Sequence, residues 1–109
     1  MKLSANCRDG RLRVSLSGEL DHHSAKDAMN GIARAIDDYM PRECVLDFSE
    51  LTFMDSSGVA LILRVYKRMH DFEGKMWVEN LQRQPLKVID ASGIDRIVRI
   101  LSTVKEGER

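Results

Sequence analysis

The chain has no excess charge of either sign: Lys plus Arg and Asp plus Glu number 17 each. Without a basic excess or a basic amphipathic helix, nothing points to nucleic acid or to a membrane surface as a direct partner. Long hydrophobic runs are also missing, and none approaches the roughly 20 residues that a membrane span requires. Met1-Lys2-Leu3-Ser4 opens straight into a patterned segment, without the apolar stretch of a secretory signal. The expectation is a cytoplasmic protein. Cysteine is scarce: Cys7 and Cys44 form no Cys-x-x-Cys pair, and both fall in apparent strands. They are expected to be buried free thiols rather than redox or metal groups. Repeats, linkers and low-complexity segments are absent too. The remaining composition, 43% hydrophobic and 31% charged over 109 residues, is that of one small globular domain with modest stability. The domain is expected to span 1–109, with residues 105–109 as a frayed tail.

Hydrophobic periodicity divides the chain into elements. Residues 2–8 alternate, with Leu3, Ala5 and Cys7 on one side, and residues 11–17 alternate again through Leu12, Val14 and Leu16. Asp9-Gly10 between them is a favoured two-residue hairpin turn, and Gly18-Glu19-Leu20-Asp21 leaves the hairpin. Ser24-Ala25-Lys26-Asp27 approximates a capping box, and Ala25, Met29, Ile32, Ile36 and Tyr39 then recur at helical spacing until Pro41. Cys44-Val45-Leu46-Asp47-Phe48 has the nearly continuous apolar character of a strand covered on both faces. Val59, Ile62, Leu63, Tyr66 and Met69 predict a helical stripe over 56–70, with Arg64, Lys67 and Arg68 on a solvated face. Gly74 breaks that helix, residues 75–79 predict a strand, and Pro85 suits the first turn of a further helix. Gly93 fits that helix's left-handed C-terminal position, with Ile94 as the accompanying apolar contact. Residues 94–101 predict a short strand or helix. Strands separated by helices imply parallel pairing, to which the first hairpin adds an antiparallel edge.

One stretch resists a purely structural explanation. Phe53-Met54-Asp55-Ser56-Ser57-Gly58-Val59 joins the end of the buried strand to the start of the longest amphipathic helix. That edge of an α/β sheet is where ligands and chemistry collect, and a helix N-terminus favours anions. Asp55 or a serine can cap the helix. Gly58 lowers helix propensity by up to about 1 kcal/mol against Ala, which suggests that it keeps the first turn open for another molecule to approach Ser56. Four readings follow. The first is a plain capping turn. A phosphate-binding loop fits poorly, for want of a Gly-x-x-x-x-Gly-Lys pattern. A nucleophilic serine would need His22, His23 or His70 as its base. The fourth is a serine phosphorylated by another protein. Asp21-His22-His23 could suggest a metal, but no third ligand has motif spacing, and a polar loop entering the helix suits it better. Trp77, Tyr66, Met29, Met54, Met69 and Met76 are expected in the core.

The stretch Leu51-Thr52-Phe53-Met54-Asp55-Ser56-Ser57-Gly58, with Gly18-Glu19-Leu20-Asp21-His22-His23-Ser24-Ala25 and Ala91-Ser92-Gly93-Ile94, resembles the anti-sigma factor antagonists of the STAS domain family. The order of elements agrees over nearly the whole chain, and Gly-Glu-Leu-Asp-His-His is most similar to the family's sporulation branch. The resemblance implies an α/β fold: a single STAS domain with a small, mixed, mostly parallel sheet, an N-terminal β-hairpin and helices packed on it. It also implies partner switching. An anti-sigma factor that is itself a serine kinase would, with its bound nucleotide, hold the unphosphorylated protein and release its sigma factor. Phosphorylation at Ser56 would end that binding, and a serine phosphatase would restore it. Partner contacts are implied for Asp21, Asp55, Ser56, Ser57 and Gly58. No catalytic activity, metal or cofactor is expected, and the free protein is expected to be a monomer. The alternatives are a STAS protein with a different partner, of stressosome or lipid-transport type, and a small serine hydrolase.

Overall fold

The computed structural model describes residues 1–101. The expected frayed tail at 105–109 lies outside the described residues. Nine elements follow in order: β1 Lys2–Arg8, β2 Arg11–Leu20, α1 Ala25–Tyr39, β3 Glu43–Met54, α2 Ser56–Asp71, β4 Lys75–Glu79, α3 Arg83–Ser92, a 3-10 turn Ile94–Arg96 and β5 Arg99–Leu101. Residues 94–101 therefore hold both a helical turn and a strand.

The hairpin forms as its sequence dictates. Asp9 and Gly10 both take positive φ, 54° and 80°, as a type I′ turn requires. The Gly10 carbonyl then accepts from the N–H groups of Arg42 and Glu43, at 2.8 and 3.1 Å, which ties the turn to the start of β3. β1 and β2 are antiparallel, and every later pairing is parallel in the sheet order β1-β2-β3-β4-β5. Because each crossover steps the same way along the sheet, right-handed connections place α1, α2 and α3 on one face. The core lies under them: Leu12, Val14 and Leu16 of β2, Leu46 and Phe48 of β3, Val78 of β4, Ile32 and Ile36 of α1, Ile62 and Val65 of α2, and Ile89 of α3.

β3 is covered on both faces, as its apolar run predicts, but by different means: helices cover one face and long side chains the other. Val45 is fully buried, yet it points to the helix-free face, in register with Arg13 and Trp77. Long side chains cover that face. Arg13 bridges Asp47 at 3.2 Å and Glu79 at 3.0 Å. The Trp77 indole N–H donates to Glu79 at 2.8 Å, and the Arg11 guanidinium lies 5.1 Å from the Trp77 ring centre. Trp77 is buried, then, but outside the main core.

Smaller departures have local causes. Gly18-Glu19-Leu20 does not leave the hairpin; it continues β2 through two register shifts, with Gly18 at φ 97°. The capping box at Ser24 does not form, because the Ser24 hydroxyl is engaged with Asp21. α1 ends at Tyr39 and is closed by Met40, the left-handed residue before Pro41, whose N–H donates to Ile36 O at 2.8 Å. A proline disfavours helical geometry in the residue before it. Tyr39, placed on the apolar stripe by its spacing, is instead 52% exposed. The buried stripe of α2 is Gly58, Leu61, Ile62, Val65 and Met69, rotated from the predicted one, so Val59, Leu63 and Tyr66 sit at its margin. Gly93 is left-handed as predicted, and Ile94 is buried behind it. Cys44 is buried while Cys7 is only half-buried, because β1 is an edge strand. Met29, Met54, Met69 and Met76 are all buried.

Candidate functional site

The two loops that carry the motif residues meet at the C-terminal edge of the sheet. Leu20 and Met54 are register partners at the ends of β2 and β3, so the residues after them, Asp21 and Asp55, leave neighbouring strands side by side. The Asp55 N–H donates to Leu20 O at 3.3 Å, which continues the ladder by one bond. Asp55 is the N-cap of α2, in extended geometry. Its carboxylate works in two directions: Oδ1 accepts from the Ser57 N–H at 2.8 Å and Oδ2 from the His22 N–H at 3.3 Å. One side chain thus caps the helix and clamps the neighbouring loop.

Asp21 organises its own loop. Its Oδ1 accepts from the N–H groups of His23 and Ser24, at 2.9 and 3.0 Å, and its carbonyl accepts from Ala25 N–H at 3.0 Å. It fills the capping role that the sequence pattern suggested for Ser24. The Ser24 backbone bond is the largest influence holding the Asp21 carboxyl below its ordinary value of 3.8; partial burial opposes it, and bonds from His23 and the Ser24 hydroxyl assist. Asp21 is therefore an anion at neutral pH.

Ser56 is the first residue of α2 and is exposed; Ser57 and Asp55 are half-buried, and Gly58 is buried. The first turn of α2 contains no acidic side chain, so the partial positive charge of the helix end is opposed there only by its cap. Gly58 does not do what the sequence suggested. A Cβ built on it would stand 2.9 Å from Met54 Sδ, 3.1 Å from Met54 Cβ and 3.3 Å from Leu20 Cδ2. Its missing side chain makes room for the protein's own core rather than for an approaching molecule. Beside the site, a groove of about 440 Å³ runs between α1 and α2 from His22 and Ser57; Met29 and Leu61 line it, with Lys26 and Arg64 among its polar residues.

The histidines do not converge on Ser56. His22 and His23 are exposed, their rings 5.7 Å apart, and His22 meets the motif through its backbone. His70 stacks on Tyr66 near the far end of α2. Among the described residues, no hydrogen bond joins Ser56 to a histidine, and no group of three or more His, Cys, Asp or Glu could hold a metal. Arg68, read as part of a solvated face, instead ties α2 to α1 through Asp37, at 2.7 and 2.9 Å. Two residues that the sequence did not single out support the site from α3. Gln82 donates to Ser49 O at 2.6 Å, and Gln84 bonds both the N–H and the carbonyl of Met54. Nothing local marks these glutamines; only the overhang of β3 past β4 gives them a task.

The sheet order never reverses, so the edge lacks the crevice that a topological switch point would open for a small ligand. The result is a rim on which exposed Ser56 opens α2 beside the Asp21 and Asp55 loops. Comparison with known proteins bears on the family and the fold. A family model described as the STAS domain matches residues 2–107. The anti-sigma F factor antagonist of Paenibacillus polymyxa is 37% identical over 91 residues, covering 84% of this chain and 78% of that protein. The solved structure of the anti-sigma factor antagonist SpoIIAA in its unphosphorylated form is similar, with a TM-score of 0.81 and 26% identity, covering 98% of this chain and 92% of that one. The phosphorylated form of SpoIIAA, from Bacillus, has a TM-score of 0.72 at 26% identity, over 98% and 96%.

Proposed function

The chain belongs to the STAS domain family, and from that premise we propose that it is an anti-sigma factor antagonist switched by phosphorylation at Ser56. In its unphosphorylated form it binds an anti-sigma factor that is also a serine kinase, with that kinase's nucleotide in place, and so frees a sigma factor. The kinase phosphorylates Ser56 and the complex loosens; a serine phosphatase resets the protein. The cycle is cytoplasmic, and its place in sporulation rests on the resemblance of Gly18-Glu19-Leu20-Asp21-His22-His23 to the family's sporulation branch. No helix among the described residues is long and apolar enough to cross a membrane.

The observation that carries the proposal is the placing of Ser56. Its hydroxyl is exposed at the first position of α2, within the rim formed by Asp21 and Asp55. Phosphorylation adds about −1.5 to −2 charges at neutral pH. The helix end tolerates that charge, so the fold should change little. At the rim the new charge joins two existing carboxylates, and a partner that docks there meets a concentrated negative field. A few kcal/mol of repulsion and desolvation weakens binding by about two to three decades. Asp21, Ser57 and the Lys26–Arg64 side of the groove would form the rest of the docking surface. Buried Gly58 would contribute through the shape of the turn.

The hydrolase alternative needs a base on Ser56, and the histidine geometry described above offers it no support. A STAS protein with a different partner remains the second reading, since the fold would be the same. The test is to mix the protein with its cognate anti-sigma kinase and ATP and locate phosphate by mass spectrometry. Phosphate on Ser56 is expected; phosphate elsewhere, or none, refutes the proposal.

A further inference from the structure

β3 is longer than its neighbour. Its pairing with β4 ends at Asp47 and Glu79, whereas the strand continues to Met54. From Phe48 onward its β4-side edge has no strand beside it among the described residues, and the main-chain donors and acceptors along it need other partners. The N-cap residue and the first turn of α3 supply two such side chains. Gln82 Nε2 donates to Ser49 O at 2.6 Å. Gln84 Oε1 accepts from the Met54 N–H at 2.9 Å, while its Nε2 donates to Met54 O at 3.1 Å. The Gln84 amide therefore makes the two-way pairing that one residue of an antiparallel neighbouring strand would make. It does so at the residue immediately before the Asp55 cap. Met54 is also the residue against which Gly58 packs, so its backbone is held from α3 while its side chain is held from α2.

Deepening the phosphoacceptor reading of Ser56, and resting on it, we infer that Gln84 is a positioning residue for Ser56. Through Met54 it fixes where β3 ends and thus where Asp55 starts α2 and presents the hydroxyl. The role demands an amide at this reach. Glutamate can accept from the Met54 N–H but cannot donate to its carbonyl, and methionine, of similar length, can do neither.

The test compares full-length wild type with Gln84→Glu and Gln84→Met by amide hydrogen exchange and by kinase assay. The Ser57 and Gly58 amides both bond Asp55, to its carboxylate and its carbonyl, and neither bonds Gln84. Their exchange is expected to rise about tenfold in Gln84→Met and by less in Gln84→Glu, while Leu46 and Val78 in the sheet keep their wild-type rates. With the cognate anti-sigma kinase, kcat for Ser56 should fall in the same order while KM holds. Unchanged exchange at Ser57 and Gly58, or an equal rise at Leu46 and Val78, overturns the positioning role. Gln84→Glu keeps one of the two bonds and decides the matter if Gln84→Met does not fold. A wild-type chain that accepts no phosphate at Ser56 sinks the phosphoacceptor reading, and the exchange data then judge Gln84 separately.

Discussion

Replacing Gly58 with alanine separates two explanations of that glycine by the sign of one number. If Gly58 only kept a surface open, Gly58→Ala would stabilise the protein, because alanine gains up to about 1 kcal/mol over glycine within a helix. Gly58 is not among the glycines with positive φ, so no backbone strain opposes the change. The packing does oppose it. The new methyl would lie 2.9 Å from Met54 Sδ and 3.1 Å from Met54 Cβ, with Leu20 Cδ2 at 3.3 Å. The sulfur can swing aside. The Cβ cannot, because Gln84 grips the Met54 backbone on both sides, and both Met54 and Leu20 are fully buried. Overpacking of this kind costs about 1–3 kcal/mol. Set against the propensity gain, the net loss is about 1 kcal/mol, which lowers Tm by about 4–8 °C in a domain of this size. Thermal unfolding followed by far-UV circular dichroism, with urea titration as a check, measures it directly. A Tm equal to or above wild type would refute the packing argument and return Gly58 to the surface role.

Three other outcomes follow from the same geometry. In a binding assay with the cognate anti-sigma factor, Ser56→Ala should bind like wild type and resist phosphorylation, whereas Ser56→Asp should lose about two to three decades of affinity; equal affinity for the Asp variant would show that charge is not the switch. Partial burial is the largest single influence on Asp47 and opposes its ionisation, but bonds from Ser49 and Asn80 and the charge of Arg13 together hold its carboxyl below 3.8. A carboxyl depressed in the folded state stabilises fully above its unfolded value and loses that contribution as pH falls through the folded one. Acid unfolding should therefore steepen below about pH 4, and Asp47→Asn should flatten that limb; an unchanged pH profile would count against it. Burial, with Cys7 nearby, pushes the Cys44 thiol up to about 12, so at pH 8 iodoacetamide should label Cys7 in the folded protein and Cys44 only after denaturation, as read by peptide mass mapping.

The alternation of Leu12, Val14 and Leu16, the Asp9-Gly10 turn, the helical spacing after Ser24 and the Gly93-Ile94 ending each express a rule that operates within a few residues. The structure follows them. The site motif was legible for the same reason: Asp55 as a cap before two serines is a local signature, and the structure uses it as a cap. Errors arose where a residue's partner is distant in sequence. Ser24 is the exception, a local competition: Asp21, three residues before it, took the capping bonds and engaged its hydroxyl. Gly58 looked open because Met54 and Leu20, which crowd it, are placed by the β2–β3 register. The apolar run through Val45 rightly indicated a strand covered on both faces, but it could not say that Arg13 and Trp77, rather than a second helix layer, lie on one of them.

By itself, then, the sequence determined the elements, their order, the parallel sheet with its antiparallel edge, and the exposed serine at a helix start, since periodicity, turn chemistry and capping act over one or two turns of chain. Only the tertiary structure decided that the Asp21 and Asp55 loops share one rim, that a bare sheet face is roofed by Arg11, Arg13 and Trp77, and that Gln84 holds the strand beneath Ser56. Those facts depend on strand register and strand length, which are set by the packing of the whole sheet against its helices and cannot be read from any short window.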